Sequence, residues 1–428
     1  MEELKNVKGC NDFGGEDEII RSFISDTLKK TFEKYGYKPL STSLLCYYDL
    51  LALKYDEDND ILKEIYKVSD QANRKLALRY DLTVPFAKYI ALNQNINMPY
   101  KRYEIGKVYR DGPVKKGRVR EFIQCDVDCV GIEGQMIEAE FIALYVEGFK
   151  NLGIDVIIKY NNRKIMFGII EACKIPKDKI KDTITIVDKF EKLNKQEIIQ
   201  EFLKIGLVNE QINRLIEYLN MSFSDIKDVF KEEQSMELQE GIKEVNEINK
   251  YIQELNLDGN VQFVASLARG QEYYTGTIFE VYEKNEKIKS SIGGGGRYDN
   301  MIGDFIGNGK KYPAVGVSFG LDVIFEILKD NEKLTRNNTE IYIIPMNNKI
   351  QAMKIADILR KQNINVDIEM NENKIRKSLE YANKEKIPYV VIVGEDELKQ
   401  GKVILKDMEK GEQQEVDIEK IGANVRKN

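Results

Sequence analysis

No histidine occurs anywhere in the 428 residues. Ser-His-Asp and Cys-His sites are therefore excluded, as is any histidine metal ligand. Chemistry must come from carboxylates, arginine, lysine, tyrosine or backbone dipoles. Tryptophan is also missing, which decides little. The five cysteines, Cys10, Cys46, Cys125, Cys129 and Cys173, are odd in number and scattered. This pattern fits a reducing cytoplasm rather than a disulfide framework, and without histidine nearby a zinc site at Cys125 and Cys129 is not expected. Long apolar runs are lacking too. The longest clear one is Ile387–Val393, far short of a membrane span, and the opening MEELKNVKGCNDF has no apolar leader. The net charge of −6 argues against a generally basic coat for nucleic acid. A local basic groove remains open, since patches rather than totals steer binding.

What is present divides the chain. Glu16–Tyr35 carries apolar residues at helical spacing, with Gly36 as a stop. Tyr37–Leu44 reads as a strand, then a helix over 47–53 and an acidic loop, DEDND. A hairpin over 65–80 and a helix over 82–93 follow. Two long strands, 100–109 and 118–130, flank a basic loop, and Glu133–Leu152 is an amphipathic helix. After a strand at 153–160 the chain turns rich in Lys, Glu and Ile, with helical spacing almost throughout 161–259. A hairpin over Ala265–Asp299, a strand at 315–319 and a helix at 320–328 come next. The polar stretch KDNEKLTRNNTE marks a boundary near 336. Beyond it, strands and helices alternate with short links, which predicts a small α/β domain.

The Ala265–Asp299 hairpin is the centre of interest. Arg269, Tyr273 and Tyr274 are expected at the start of its first strand, and Gly293 to Gly296 occupy the second. Glycine weakens a strand, so four in a row imply close approach of a ligand or another backbone, or else a hinge. Three other segments can join it. Asp81, where a strand meets a helix, can cap that helix or grip an ammonium group. The loop of KVYRDGPVKKGRVREF offers Arg110, Lys115, Lys116, Arg118 and Arg120, forks suited to phosphate or else a solvated turn. Gln124, Asp126 and Asp128 alternate along the returning strand and share one face, a pocket wall or an exposed polar face.

Together these segments resemble a class II aminoacyl-tRNA synthetase, specifically the histidyl-tRNA synthetase family. VYRDGPVKKGRVREFIQCD resembles the second class II motif. ARGQEYYTG and GGGGRYD resemble two histidyl signatures, KGCNDF the family opening, and NKIRKSLEYANKEKIPYVVIVGEDELKQGKVILKDM the anticodon-binding domain. The resemblance covers nearly the whole chain. It implies an α+β fold: a class II antiparallel-sheet catalytic core over 1–160 and 260–330, a helical insertion over 161–259, and a small C-terminal α/β anticodon-binding domain over 337–428. It also implies a cytoplasmic homodimeric ligase that activates L-histidine with ATP and Mg²⁺ and charges tRNA(His). By motif match, Arg110 and Arg269 would be catalytic. Asp81, Thr83, Gln124 and Asp128 would surround the substrate ammonium. Tyr273, Tyr274 and Tyr298 would form the imidazole slot, and Arg110, Arg118 and Arg120 would meet ATP. The carboxylates that would hold Mg²⁺ are not identified by the pattern.

Three departures from the family pattern stand out. Gln271 and Glu272 replace Leu and Asp, and Asn300 stands where glycine is common. Val323 occupies the place of a motif 3 arginine that meets ATP phosphates, with Lys310, Lys311 and Arg297 as candidate substitutes. The alternative is a synthetase-like regulatory subunit of ATP phosphoribosyltransferase, or a histidine- or tRNA-binding module. Arg269 and the tail domain argue against these; Val323 argues for them.

Overall fold

The computed structural model describes residues 4–426, apart from 54–59, 116, 234, 270–272, 286, 332–333, 335–337 and 372. The acidic loop therefore lies outside the described residues except for Asp60, as do Gln271, Glu272 and the expected boundary near 336. Two compact units result, residues 1–12 with 21–328 and residues 13–20 with 329–428.

In the first unit strand β1 (Lys38–Pro39) is short. A small antiparallel sheet follows, made of β2 (Leu45–Tyr47), β3 (Lys67–Ser69) and β4 (Lys75–Leu78). The expected single strand over 37–44 is not formed. Pro39 has no N–H to give, and the Thr42 amide is spent on the Glu104 carboxylate at 3.0 Å, so the chain leaves one sheet and enters another.

The main sheet adds β5 (Tyr100–Tyr109), β6 (Glu121–Val130), β7 (Val156–Asn162), β8 (Val261–Phe263), β9 (Thr277–Glu283), β10 (Gly293–Arg297) and β11 (Ala314–Gly320). Its order is β1-β5-β6-β11-β10-β9-β7-β8. The edge strands β1 and β8 pair in parallel, and all pairs between them are antiparallel. Aromatic side chains seal one face. Phe319 lies 4.7 Å from Tyr145 and 5.0 Å from Phe149 of the helix Met136–Asn151, and 5.5 Å from Phe32 of the helix Glu16–Lys34. Gly148 lets the first helix sit close, because a Cβ there would fall 3.0 Å from the Phe319 ring. The opposite face is left for chemistry. Between β7 and β8 the chain is helical, from the helix Arg163–Ala172 to the helix Met236–Glu254.

The second unit has a five-stranded sheet of β12 (Ile341–Ile344), β13 (Val366–Ile368), β14 (Tyr389–Ile392), β15 (Lys402–Asp407) and β16 (Gln413–Asp417). The order β13-β12-β14-β15-β16 is parallel in its first three strands and antiparallel beyond. The helices Lys349–Lys361 and Ile375–Lys384 join the parallel strands, as crossover connections require. A short helix, Glu395–Lys399, was not expected.

Candidate active site

Strand register brings the polar residues into rows on the open face. Arg102, Asp128, Gly316, Gly296 and Ile278 form one row across β5, β6, β11, β10 and β9; Glu104, Asp126, Ser318, Gly294 and Glu280 form the next. Glycines at the centre leave a cavity of about 440 Å³. The close approach that four glycines imply is real, and it comes from backbone and from overlying side chains. A Cβ on Gly294 would meet the Arg269 guanidinium at 1.9 Å, one on Gly296 the Tyr274 ring at 2.8 Å, and one on Gly295 the Gly316 carbonyl at 2.1 Å. Arg269, Tyr273 and Tyr274 precede β9 rather than starting it.

The acidic wall is Asp81, Gln124, Asp126 and Asp128, with Thr83 beside them. Asp81 caps the helix with one oxygen and leaves the other unpartnered. Its Oδ1 accepts the Val84 amide at 3.0 Å in the first turn of the helix Thr83–Leu92, while its buried Oδ2 has no partner. Burial pushes its carboxyl up to about 6, against the Val84 amide and Arg110. Gln124 donates to Ser318 Oγ at 3.2 Å and keeps a buried, unpartnered Oε1. Asp128 is held from below: Tyr298 donates to Oδ1 at 2.6 Å, and Arg102 pairs with Oδ2 at 2.7 Å. Burial still raises its carboxyl, with Arg102 and Tyr298 opposing.

The cationic walls face each other across β6 and β11. Arg110 enters from the end of β5, its Nε donating to the Tyr80 carbonyl at 3.1 Å and its guanidinium 5.1 Å from the Phe122 ring. Arg269 lies over β10, donating to the Phe279 carbonyl at 2.9 Å with Glu280 at 3.5 Å. Lys115 and Arg118 also line the cavity, Arg118 paired with Glu64.

Four expected residues are placed elsewhere. Tyr298 is buried behind Asp128, its ring edge-on to Tyr273 at 6.2 Å, and does not line the cavity. Arg120 turns to Asp111 at 3.1 Å and to the Gly112 carbonyl at 3.2 Å. Arg297 is committed to Glu138 at 2.6 Å and so cannot substitute for a motif 3 arginine. Lys311 lines a separate cavity of about 1370 Å³ beside the helix Met236–Glu254, where Tyr273 and Tyr274 form the shared partition. Val323 does line the site.

Sequence reasoning missed Arg102 and Ser318. Arg102 is fully buried, lies 4.5 Å from the Phe86 ring, donates to the Leu82 carbonyl at 3.0 Å and pairs with Asp128. Its signal is cross-strand register, which one strand read alone does not reveal.

A six-stranded antiparallel run with parallel edges, two opposed arginines and a glycine floor beside an acid-lined slot define a class II aminoacyl-tRNA synthetase core. Residues 9–324 match the family model for histidyl-tRNA synthetase, and residues 340–428 that for an anticodon binding domain. The chain belongs to the histidyl-tRNA synthetase family. It is 44% identical to histidine–tRNA ligase 1 of Bacillus cereus over 431 aligned residues, covering 100% of this chain and 98% of the relative. The crystal structure of histidyl-tRNA synthetase from Nostoc sp. PCC 7120 superposes with a TM-score of 0.88 at 27% identity, covering 100% of both chains. An ATP phosphoribosyltransferase regulatory subunit/histidyl-tRNA synthetase from Bacillus halodurans C shares the fold, with a TM-score of 0.76 at 18% identity over 91% of this chain and 98% of that one.

Proposed function

We propose that the chain is a histidine–tRNA ligase. It joins L-histidine to ATP as histidyl-adenylate and transfers the acyl group to the 3′ end of tRNA(His). One observation carries the reading: acceptors for a cationic amino acid and cations for a phosphate line the same cavity. In the first step a histidine carboxylate oxygen bonds to the α-phosphorus and pyrophosphate leaves. No protein nucleophile or strong base is needed, so catalysis is positioning plus charge stabilisation. Asp81, Thr83 and Gln124 hold the ammonium group, and Tyr273 and Tyr274 bound the imidazole. Tyr298 acts through Asp128. Arg110 and Arg269 grip the α-phosphate from opposite sides. In the second step a ribose hydroxyl of tRNA attacks the acyl carbon and AMP leaves.

Arg118 and Lys115 are the cations we assign to the triphosphate tail, with Val323 contributing none. Arg120 shapes the loop instead. Mg²⁺ enters with ATP as part of the substrate. Among the described residues no three His, Cys, Asp or Glu side chains cluster as a metal cage; Mg²⁺ carried on ATP phosphates needs only one or two carboxylates.

We also propose that residues 1–160 with 260–330 form the catalytic core, 161–259 the insertion and 337–428 the anticodon-binding domain. The five cysteines are free, which supports a reducing cytoplasm, and no helix among the described residues is long and apolar enough to cross a membrane.

ATP–pyrophosphate exchange tests the proposal. Exchange should require histidine, and Arg269→Ala should abolish it while histidine binding persists. A soluble protein that binds histidine without exchange would instead support the regulatory-subunit reading, which Val323 in the cavity favours.

A further inference from the structure

Asp126 sits at the middle of the second row of the open face, between Glu104 of β5 and Ser318 of β11. It lines the cavity and is only 3% exposed. Ser318 serves its carboxylate with one hydrogen bond, while Oδ1 is buried without a partner. A purely structural buried carboxylate would have both oxygens satisfied, because an orphaned acceptor costs stability. Of the nearby cations, Arg269 is bonded to the Phe279 carbonyl, and Arg102 reaches Asp128 and the Leu82 carbonyl through one nitrogen while acting on Asp126 as a charge, without a hydrogen bond to it. We propose that Asp126 is a substrate-binding residue whose Oδ1 accepts an N–H hydrogen of the cationic amino acid. This deepens the histidine reading and rests on it.

The surroundings say when this bond forms. Asp81, Asp128 and Glu104 add negative charge near Asp126, Arg102 opposes it, and Tyr145 and Tyr274 lie close by with Arg269 beyond them. Burial pushes the Asp126 carboxyl up to about 8 in the free site, with Arg102 pulling the other way. At neutral pH a proton occupies the place of the substrate cation. Binding a cation expels that proton, so affinity for histidine rises with pH until the free carboxyl is ionised. From pH 7 to pH 8 the ionised fraction, and with it the affinity, rises about fivefold. Asp81, near 6, adds little in this window.

The test compares the wild-type protein with Asp126→Asn. We expect the variant's KM for histidine in exchange to rise about tenfold or more, the loss of a hydrogen bond to a charged group, with KM for ATP within about twofold. Wild-type affinity should climb between pH 7 and pH 8, and the variant's should stay flat. Imidazolepropionate, which lacks the ammonium, separates the two donors. It binds both proteins alike if Asp126 meets the ammonium, and loses affinity with the variant if Asp126 meets the ring. A histidine KM within about twofold of wild type overturns the proposal, as does a flat wild-type affinity between pH 7 and pH 8, which needs no variant. If wild-type exchange with histidine fails, the ligase reading itself falls.

Discussion

At the scale of single residues, the acidic wall is a place where function opposes stability. Asp126 carries a carboxyl raised from 3.8 to about 8 in the folded chain. Unfolding therefore releases its proton between about pH 4 and pH 8, and stability falls as pH rises through that window. Asp126→Asn removes this loss. Its melting temperature should exceed that of the wild type at pH 8, with the margin shrinking toward pH 4; an equal margin at both would contradict the assignment. The sequence made such residues partly legible. The two-residue strand period puts Gln124, Asp126 and Asp128 on one face, and they share the cavity wall. Motif matching alone had no means to tell that Tyr298 would lie behind Asp128 or that Arg120 would turn to Asp111, because those depend on which neighbour each side chain reaches.

At the scale of elements, β5 carries the support of the site. Arg79 packs over Gly106, where a Cβ would fall 2.4 Å from its guanidinium, and pairs with Glu104 at 2.7 Å. It also donates to the Thr42 and Lys107 carbonyls at 2.9 Å each. Both members of the pair are almost wholly buried, so removing one partner strands the other's charge. Arg79→Met should cost about 3–5 kcal/mol in denaturant unfolding. Adding Glu104→Leu should recover part of that loss; no recovery would mean that the carbonyl contacts, not the ion pair, set the cost. Periodicity gave the long strands and helices nearly to their ends, as with Tyr100–Tyr109. It failed over 37–44, where the partner of the Thr42 amide is a side chain distant in sequence.

At the scale of the whole molecule, the family match spans both units, and we propose that the ligase acts as a dimer. Sedimentation of the full chain should show a species of about twice 49.5 kDa. A single-chain species alone would refute the dimer. Affinity for tRNA should fall with added salt despite the net charge of −6, because phosphate contacts release counterions. Overall charge and composition, legible at once, said little about either point, since both depend on local surfaces.

The glycine floor has a consequence for any change of substrate range. Gly294, Gly295 and Gly296 have no room even for a methyl group, because the Arg269 guanidinium, the Gly316 carbonyl and the Tyr274 ring already fill that space, so the floor cannot be raised by substitution. Drift or laboratory selection can alter the pocket's outline at Tyr273, Tyr274 or Gln124, but cannot dig below the main chain.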